Sequence, residues 1–254
     1  MNILVTAIGS MSADAVITEL SNLGHVVFGC DIYPSEWHAV SKRCKEVFLA
    51  PLPSDTERYI RFLIDISGAN NISHIIPLTD PETDVLNINR NDFTVRNIEL
   101  CIPCLRTILV ARDKFRIFNL FKDDEKVSVP QTFRSQRDKL SNPVFPYIAK
   151  PVNGRSSEGL IIINSNEELS LIIKKERYIL QNFISGPIYA VDYVRNAISN
   201  HDFAIPRQEL LRTKNGAGTT VKVVNDPLLQ DLASLIGNKI EVHGCINMEF
   251  IKHD

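Results

Sequence analysis

The chain has 254 residues, 44% of them hydrophobic, enough to bury one large core or two of ordinary domain size. Its 28 Lys and Arg stand against 30 Asp and Glu, which excludes the broad basic footprint of a nucleic-acid binder and leaves a small, locally held anion as the ligand class to look for. No apolar run reaches the roughly 20 residues of a spanning helix, the N-terminus lacks a signal-peptide pattern, and five irregularly spaced cysteines argue for reduced thiols, so a cytoplasmic protein with no membrane partner is expected.

The opening MNILVTAIGS predicts a buried strand ending at Gly9, followed by a helix over Ser12 to Leu23 and a second strand over His25 to Asp31. This βαβ unit places Asp31 roughly 20 residues past the first glycine, where a dinucleotide-binding fold carries its ribose acid. A nicotinamide-dependent oxidoreductase is therefore weighed. However, Gly9-Ser-Met-Ser-Ala-Asp14 has one glycine where the fingerprint needs three, and Met11 and Asp14 would crowd a pyrophosphate. Helix Thr56 to Ser67, strand His74 to Pro77, helix Glu82 to Asn89 and strand Ile98 to Ile102 continue the alternation, so the first hundred or so residues read as a parallel α/β domain. Thr79 to Glu82 falls at a strand's C-terminal end, a usual ligand position, although capping by Asp80 is the simpler account. Cys101 and Cys104 form a C-x-x-C with no second pair to complete a zinc site, and read as buried thiols.

Ile108 to Phe121 is amphipathic and reads as one helix containing Lys114. A polar helix over Ser135 to Leu140 precedes Tyr147 to Ile163, YIAKPVNGRSSEGLIII, where two short β-branched runs flank a loop of small and polar residues. The backbone N–H groups of Gly154, Ser156, Ser157 and Gly159 could turn inward on phosphate oxygens, with Lys150 as a point charge at the entrance. An ordinary exposed hairpin is the competing account. A helix over Asn166 to Lys175, a strand over Tyr178 to Gln181, a Ser185-Gly-Pro turn and a strand over Ile188 to Val194 follow. This half mixes antiparallel strands with helices. Near the end, Glu249 is a lone charge inside the apolar run CINMEFI and needs compensation if buried.

Lys114 in a helix, Lys150 before a Gly/Ser loop, the linker Gln181-Asn182-Phe183-Ile184 and Glu249 in a terminal strand occur in the order used by ATP-grasp ligases, and the chain resembles that family. The resemblance covers nearly the whole length. It implies a Rossmann-like domain over residues 1–106, like the one preceding the grasp in the large subunit of carbamoyl-phosphate synthase, and an α+β ATP-grasp domain over 107–254. The loop also resembles the phosphate loop of D-alanine ligases. ATP and magnesium are the implied cofactors: Lys114 and Lys150 on the phosphates, the loop as a lid, the Asn182 carbonyl and Ile184 N–H on adenine, and Glu249 on magnesium. Arg207 and Arg212 become candidates for an acyl phosphate or anionic substrate, or else surface ion pairs; Gly216-Ala-Gly-Thr-Thr is a second loop near the substrate or merely a turn.

The implied activity is ATP-dependent joining of an unidentified carboxylate and amine, with a homodimer as one admissible assembly. Two departures are evident. Ile188 stands where the family places a ribose-binding Glu, with Asp192 as a candidate substitute, and the chain stops before the expected Glu-x-Asn strand, as a trimmed or partial gene product would. Both departures favour a noncatalytic nucleotide-binding module as the alternative.

Overall fold

The computed structural model describes residues 1–135, 140, 143–154, 157–213 and 218–253. It divides into two units, Met1–Ile102 and Pro103–Asp254.

The first unit is a parallel sheet wrapped by helices. Its elements run β1 (Asn2–Thr6), α1 (Ala13–Asn22), β2 (Val26–Asp31), two 3₁₀ turns (Ser35–Trp37, Ala39–Arg43), β3 (Val47–Leu49), α2 (Thr56–Asn70), β4 (His74–Ile76), α3 (Asp80–Ile88), α4 (Arg90–Thr94) and β5 (Glu99–Leu100). Strand order is β3-β2-β1-β4-β5, every pair parallel. The continuous apolar runs of β1 and β2 follow from this position, because a central parallel strand is covered on both faces. Cys101 is exposed and Cys104 half-buried, so the expectation of two buried thiols fails there: both follow Leu100, the last residue of β5.

The second unit begins with α5 (Leu105–Ala111) and α6 (Lys114–Phe121), where the sequence pattern predicts one helix. Asp113 causes the break. Its Oδ1 accepts from the backbone N–H groups of Phe115 and Arg116 at 2.9 and 3.0 Å, a capping geometry that takes Asp113 itself out of the helix. Then come β6 (Thr132–Arg134), β7 (Tyr147–Pro151), β8 (Ile161–Ile163), α7 (Asn166–Ile172), β9 (Tyr178–Asn182), β10 (Ile188–Asn196), β11 (His201–Arg212), β12 (Gly218–Val223), α8 (Pro227–Lys239) and β13 (Gly244–Ile251).

These strands make two antiparallel sheets, β6-β9-β7-β8 and β12-β11-β10-β13. In the first, Tyr147, Ala149 and Leu180 point to the face packed on Leu169 and Ile172 of α7. In the second, Val191, Tyr193 and Met248 pack on Leu229 and Ala233 of α8. Strand alternation then sends the intervening residues of each sheet to its other face. There the polar side chains lie. The predicted helix over Ser135 to Leu140 falls almost wholly outside the described residues.

Candidate functional site

Lys150 lies on the face of β7 turned away from the α7 core, directly across from the fully buried Ile179 of β9. Its half-buried position disfavours the charged ammonium and lowers its pKa below the ordinary 10.5, while the negative charge of Glu249 opposes the shift. The two charges interact although the residues are 99 positions apart in sequence.

On the second sheet, Ala190 pairs with Glu249 on one side and Arg207 on the other; two residues along, Asp192 pairs with Asn247. One face therefore carries Asp192, Asn247, Glu249 and Arg207. Arg207 Nη2 and Asn247 Nδ2 both donate to Asp192 Oδ1 at 2.8 Å, and Arg207 Nε lies 2.7 Å from Asp192 Oδ2. The Asp192 carboxylate is thus occupied by its own sheet. Arg212 bridges two carboxylates: its Nε is 2.5 Å from Glu209 Oε2 and its Nη2 is 2.5 Å from Glu249 Oε1. Both arginines named from sequence are ion-paired.

The hairpin loop leaves β7 beneath Lys114, the first residue of α6. Lys114 Nζ donates to the carbonyls of Pro151, Val152 and Gly154 at 3.3, 3.3 and 3.1 Å, and its backbone N–H bonds Val152 O. These bonds fix the loop's first turn. Gly159 has φ +71°, and a Cβ there would come within 2.7 Å of the Tyr178 hydroxyl, so only glycine fits. Ser157 also adopts a left-handed conformation. Ser156 lies outside the described residues, as do Gly216 and Ala217.

Gln181 and Asn182 end β9, with Gln181 Nε2 donating to Thr132 Oγ1 at 2.8 Å. Phe183 to Pro187 then crosses to β10. The Phe183 N–H donates to Pro146 O, and Lys252 N–H to Pro187 O. A Cβ on Gly186 would lie 1.9 Å from the Lys252 carbonyl oxygen, so this linker is pressed against the exit of β13.

In the first unit, Asp31 faces inward. It accepts from the Gly9 and Tyr33 N–H groups at 2.8 and 3.0 Å, with His38 Nε2 at 3.4 Å. Its oxygens are engaged by the loop that a dinucleotide would need. Glu82, also buried, accepts from Tyr59 and Thr79 hydroxyls at 2.8 and 2.7 Å.

The second unit thus offers a sheet face with a half-exposed carboxylate, a desolvated lysine within its electrostatic reach, and a glycine-bearing hairpin that starts at that lysine. Among the described residues no three His, Cys, Asp or Glu side chains converge as a metal cage. That donor set fits magnesium, which commonly takes one or two protein carboxylates and fills its octahedron with water and substrate phosphates.

A sequence profile of the ATP-grasp domain matches residues 111–254, more than half of the chain. The chain belongs to the ATP-grasp family. A curated relative, the D-alanine–D-alanine ligase of Petrotoga mobilis, is 27% identical over 147 residues, which cover 56% of this chain and 45% of that protein. Among solved structures, the biotin carboxylase domain of Hydrogenobacter thermophilus 2-oxoglutarate carboxylase, in complex with MgADP, ADP and bicarbonate, aligns with a TM-score of 0.75 at 16% identity, over all of this chain and 61% of that one. The L-amino acid ligase of Bacillus licheniformis gives 0.72 at 14% over 100% and 64%; the N5-carboxyaminoimidazole synthetase of Staphylococcus aureus, complexed with ADP, gives 0.72 at 13% over 99% and 66%. At these identities the likeness is one of fold. The chain spans just under half the length of the curated relative and less than two thirds of the first solved ones.

Two residues of this face and one on the neighbouring sheet were not singled out for ligand work by sequence. Asn247 precedes Glu249 by two and shares its side of the strand, so alternation would have found it. Glu209 follows Arg207 by two for the same reason. Thr132, bonded to Gln181, carries no local signal.

Proposed function

We propose that this chain binds magnesium-ATP on the polar face of its second unit and belongs to a ligase that activates a carboxylate as an acyl phosphate for attack by an amine. The observation that carries the reading is that Lys150, a desolvated cation at the start of the phosphate-type hairpin, lies within electrostatic reach of the half-exposed carboxylate of Glu249. Lys150 would hold a phosphate oxygen, Glu249 would hold magnesium, and the backbone of Asn182 to Ile184 would meet adenine. Lys114 would act through the loop it anchors, and Gly154, Ser157 and Gly159 would shape that loop over the phosphates.

In the first step a substrate carboxylate oxygen bonds to the γ-phosphorus as the bond to the β-γ bridging oxygen breaks, releasing ADP. In the second the amine attacks the acyl carbon, phosphate leaves, and the amine's proton goes to solvent or base. Magnesium supplies charge neutralisation as negative charge moves between phosphate oxygens. Arg207 would meet an anionic substrate at the edge of this face by leaving its pair with Asp192. A cytoplasmic setting, D-alanine ligase-like or carbamoyl-phosphate synthase-like chemistry, and a homodimer belong to the same proposal.

The test is thermal stability in buffer, ATP, magnesium-ATP and NAD, since a ligand that binds the native state raises the midpoint. The midpoint should rise with ATP, rise further with magnesium-ATP, and stay unchanged with NAD; Glu249→Gln should remove the magnesium increment. No shift with any nucleotide would end the reading. A noncatalytic nucleotide-binding module is the second reading, favoured by Ile188 and by the engaged carboxylate of Asp192. Phosphate release stimulated jointly by a carboxylate and an amine would discard it.

A further inference from the structure

The side chain of Arg212 reaches Glu249 only because β11 is irregular. Along β11, alternation puts Arg207 and Glu209 on the polar face and would turn residue 212 away from it. The pairing of β11 with β12 shifts register between Glu209 and Leu211 and again between Leu211 and Arg212. Irregularities of this kind re-aim side chains and cluster beside functional sites. Here the shift returns Arg212 to the face of Glu209 and Glu249.

The two ion pairs it makes are unequal. Glu209 is 10% exposed, so its charge requires a partner, and the Nε contact supplies one. Glu249 is 54% exposed and could be satisfied by water, yet the far end of the same guanidinium sits on it. An exposed pair of this kind is weak and easily exchanged. The buried pair holds the arginine in place if the exposed one is lost.

Resting on the assignment of Glu249 as a metal carboxylate, we infer that Arg212 is a stand-in cation at Glu249, displaced by the divalent ion and kept beside the site by Glu209. Arg212 is a positioning residue in this scheme. It holds the Glu249 carboxylate in place and lowers the local negative charge while the site awaits nucleotide, and it competes with any metal that arrives alone. Magnesium brought on ATP overcomes this competition because the phosphates supply most of its ligands.

The experiment is Mn2+ binding without nucleotide, followed by the electron paramagnetic resonance of free Mn2+, on the native chain, Arg212→Gln, Arg212→Lys and Arg212→Gln with Glu249→Gln. A competing cation is negatively coupled to the metal and its removal relieves that coupling, so Arg212→Gln should bind Mn2+ about tenfold or more tightly than the native chain. Arg212→Lys, which keeps charge but loses the two-ended fork, should fall between them; it serves as the measurement if the Gln variant does not fold. The double variant should lose the gain. Arg212 variants that bind Mn2+ no better than the native chain overturn the inference, while the magnesium increment in thermal stability still reports on Glu249 independently. A double variant that keeps the gain overturns both.

Discussion

The two units treat their charged groups in opposite ways. In the first, Asp31 and Glu82 are buried and held by donors of their own unit: backbone N–H groups for Asp31, tyrosine and threonine hydroxyls for Glu82. In the second, Asp192 and Glu249 lie half-exposed on a sheet face and are held by guanidinium groups that reach across strands, while Glu209 is paired with Arg212 of its own strand. A closed buried network specifies one structure and is costly to disturb. Partly exposed ion pairs cost little to rearrange, so a face built from them can accept a ligand. Conformational specificity is concentrated in the first arrangement and capacity for exchange in the second.

This contrast can be broken at three places. Gly186→Ala should have the largest effect, because the added methyl would meet a backbone carbonyl rather than a movable side chain. Overpacking costs about 1–3 kcal/mol, and here the upper end is expected, read as a lower urea midpoint together with a smaller ATP response. An unchanged midpoint would show that the linker has more room than its geometry gives it.

Next, Lys150→Ala should weaken ATP binding by about 1.5–3 kcal/mol, the range for a charged hydrogen bond, measured by calorimetry. The pH dependence has a definite sign. Binding phosphate favours the protonated ammonium, so affinity should fall as pH rises through the free protein's Lys150 pKa, which burial places below 10.5. Lys150→Arg should flatten that fall, since a guanidinium does not titrate in this range. A native profile that stays flat up to pH 10.5 would remove Lys150 from the phosphate contacts.

Tyr59→Phe should have the smallest effect, about 1–2 kcal/mol of stability, because Glu82 loses one donor but keeps Thr79. Burial and the negative charge of Glu82 both push the Tyr59 phenol pKa upward, so it stays a donor across the ordinary pH range. ATP affinity should not change. A joint loss of stability and affinity would contradict the separation of roles.

Much of this arrangement was legible in sequence because it depends on local pattern. The β7–β8 hairpin announces itself in β-branched runs around Gly and Ser, and Glu249 stands out as a charge among apolar residues. The parallel order of the first sheet follows from strand and helix alternation. What was not legible depends on partners far along the chain. The amphipathic pattern runs straight through Arg112 and Asp113, so the break between α5 and α6 is visible only once Asp113 is seen capping. The partners of Lys114 are carbonyls 37 to 40 residues away, which no spacing rule reveals. The direction of Arg212 is set by how β11 registers on β12.

The contact between Gly186 and Lys252 has a mechanical meaning. With no spare space between the Gly186 α-carbon and the Lys252 carbonyl, the linker and the end of β13 share a common origin of coordinates. Glu249 lies on that strand, three residues upstream of Lys252, which follows its last residue. The segment assigned to adenine and the carboxylate assigned to magnesium are therefore two marks on one ruler, and the absence of a single methyl group at residue 186 keeps their spacing constant.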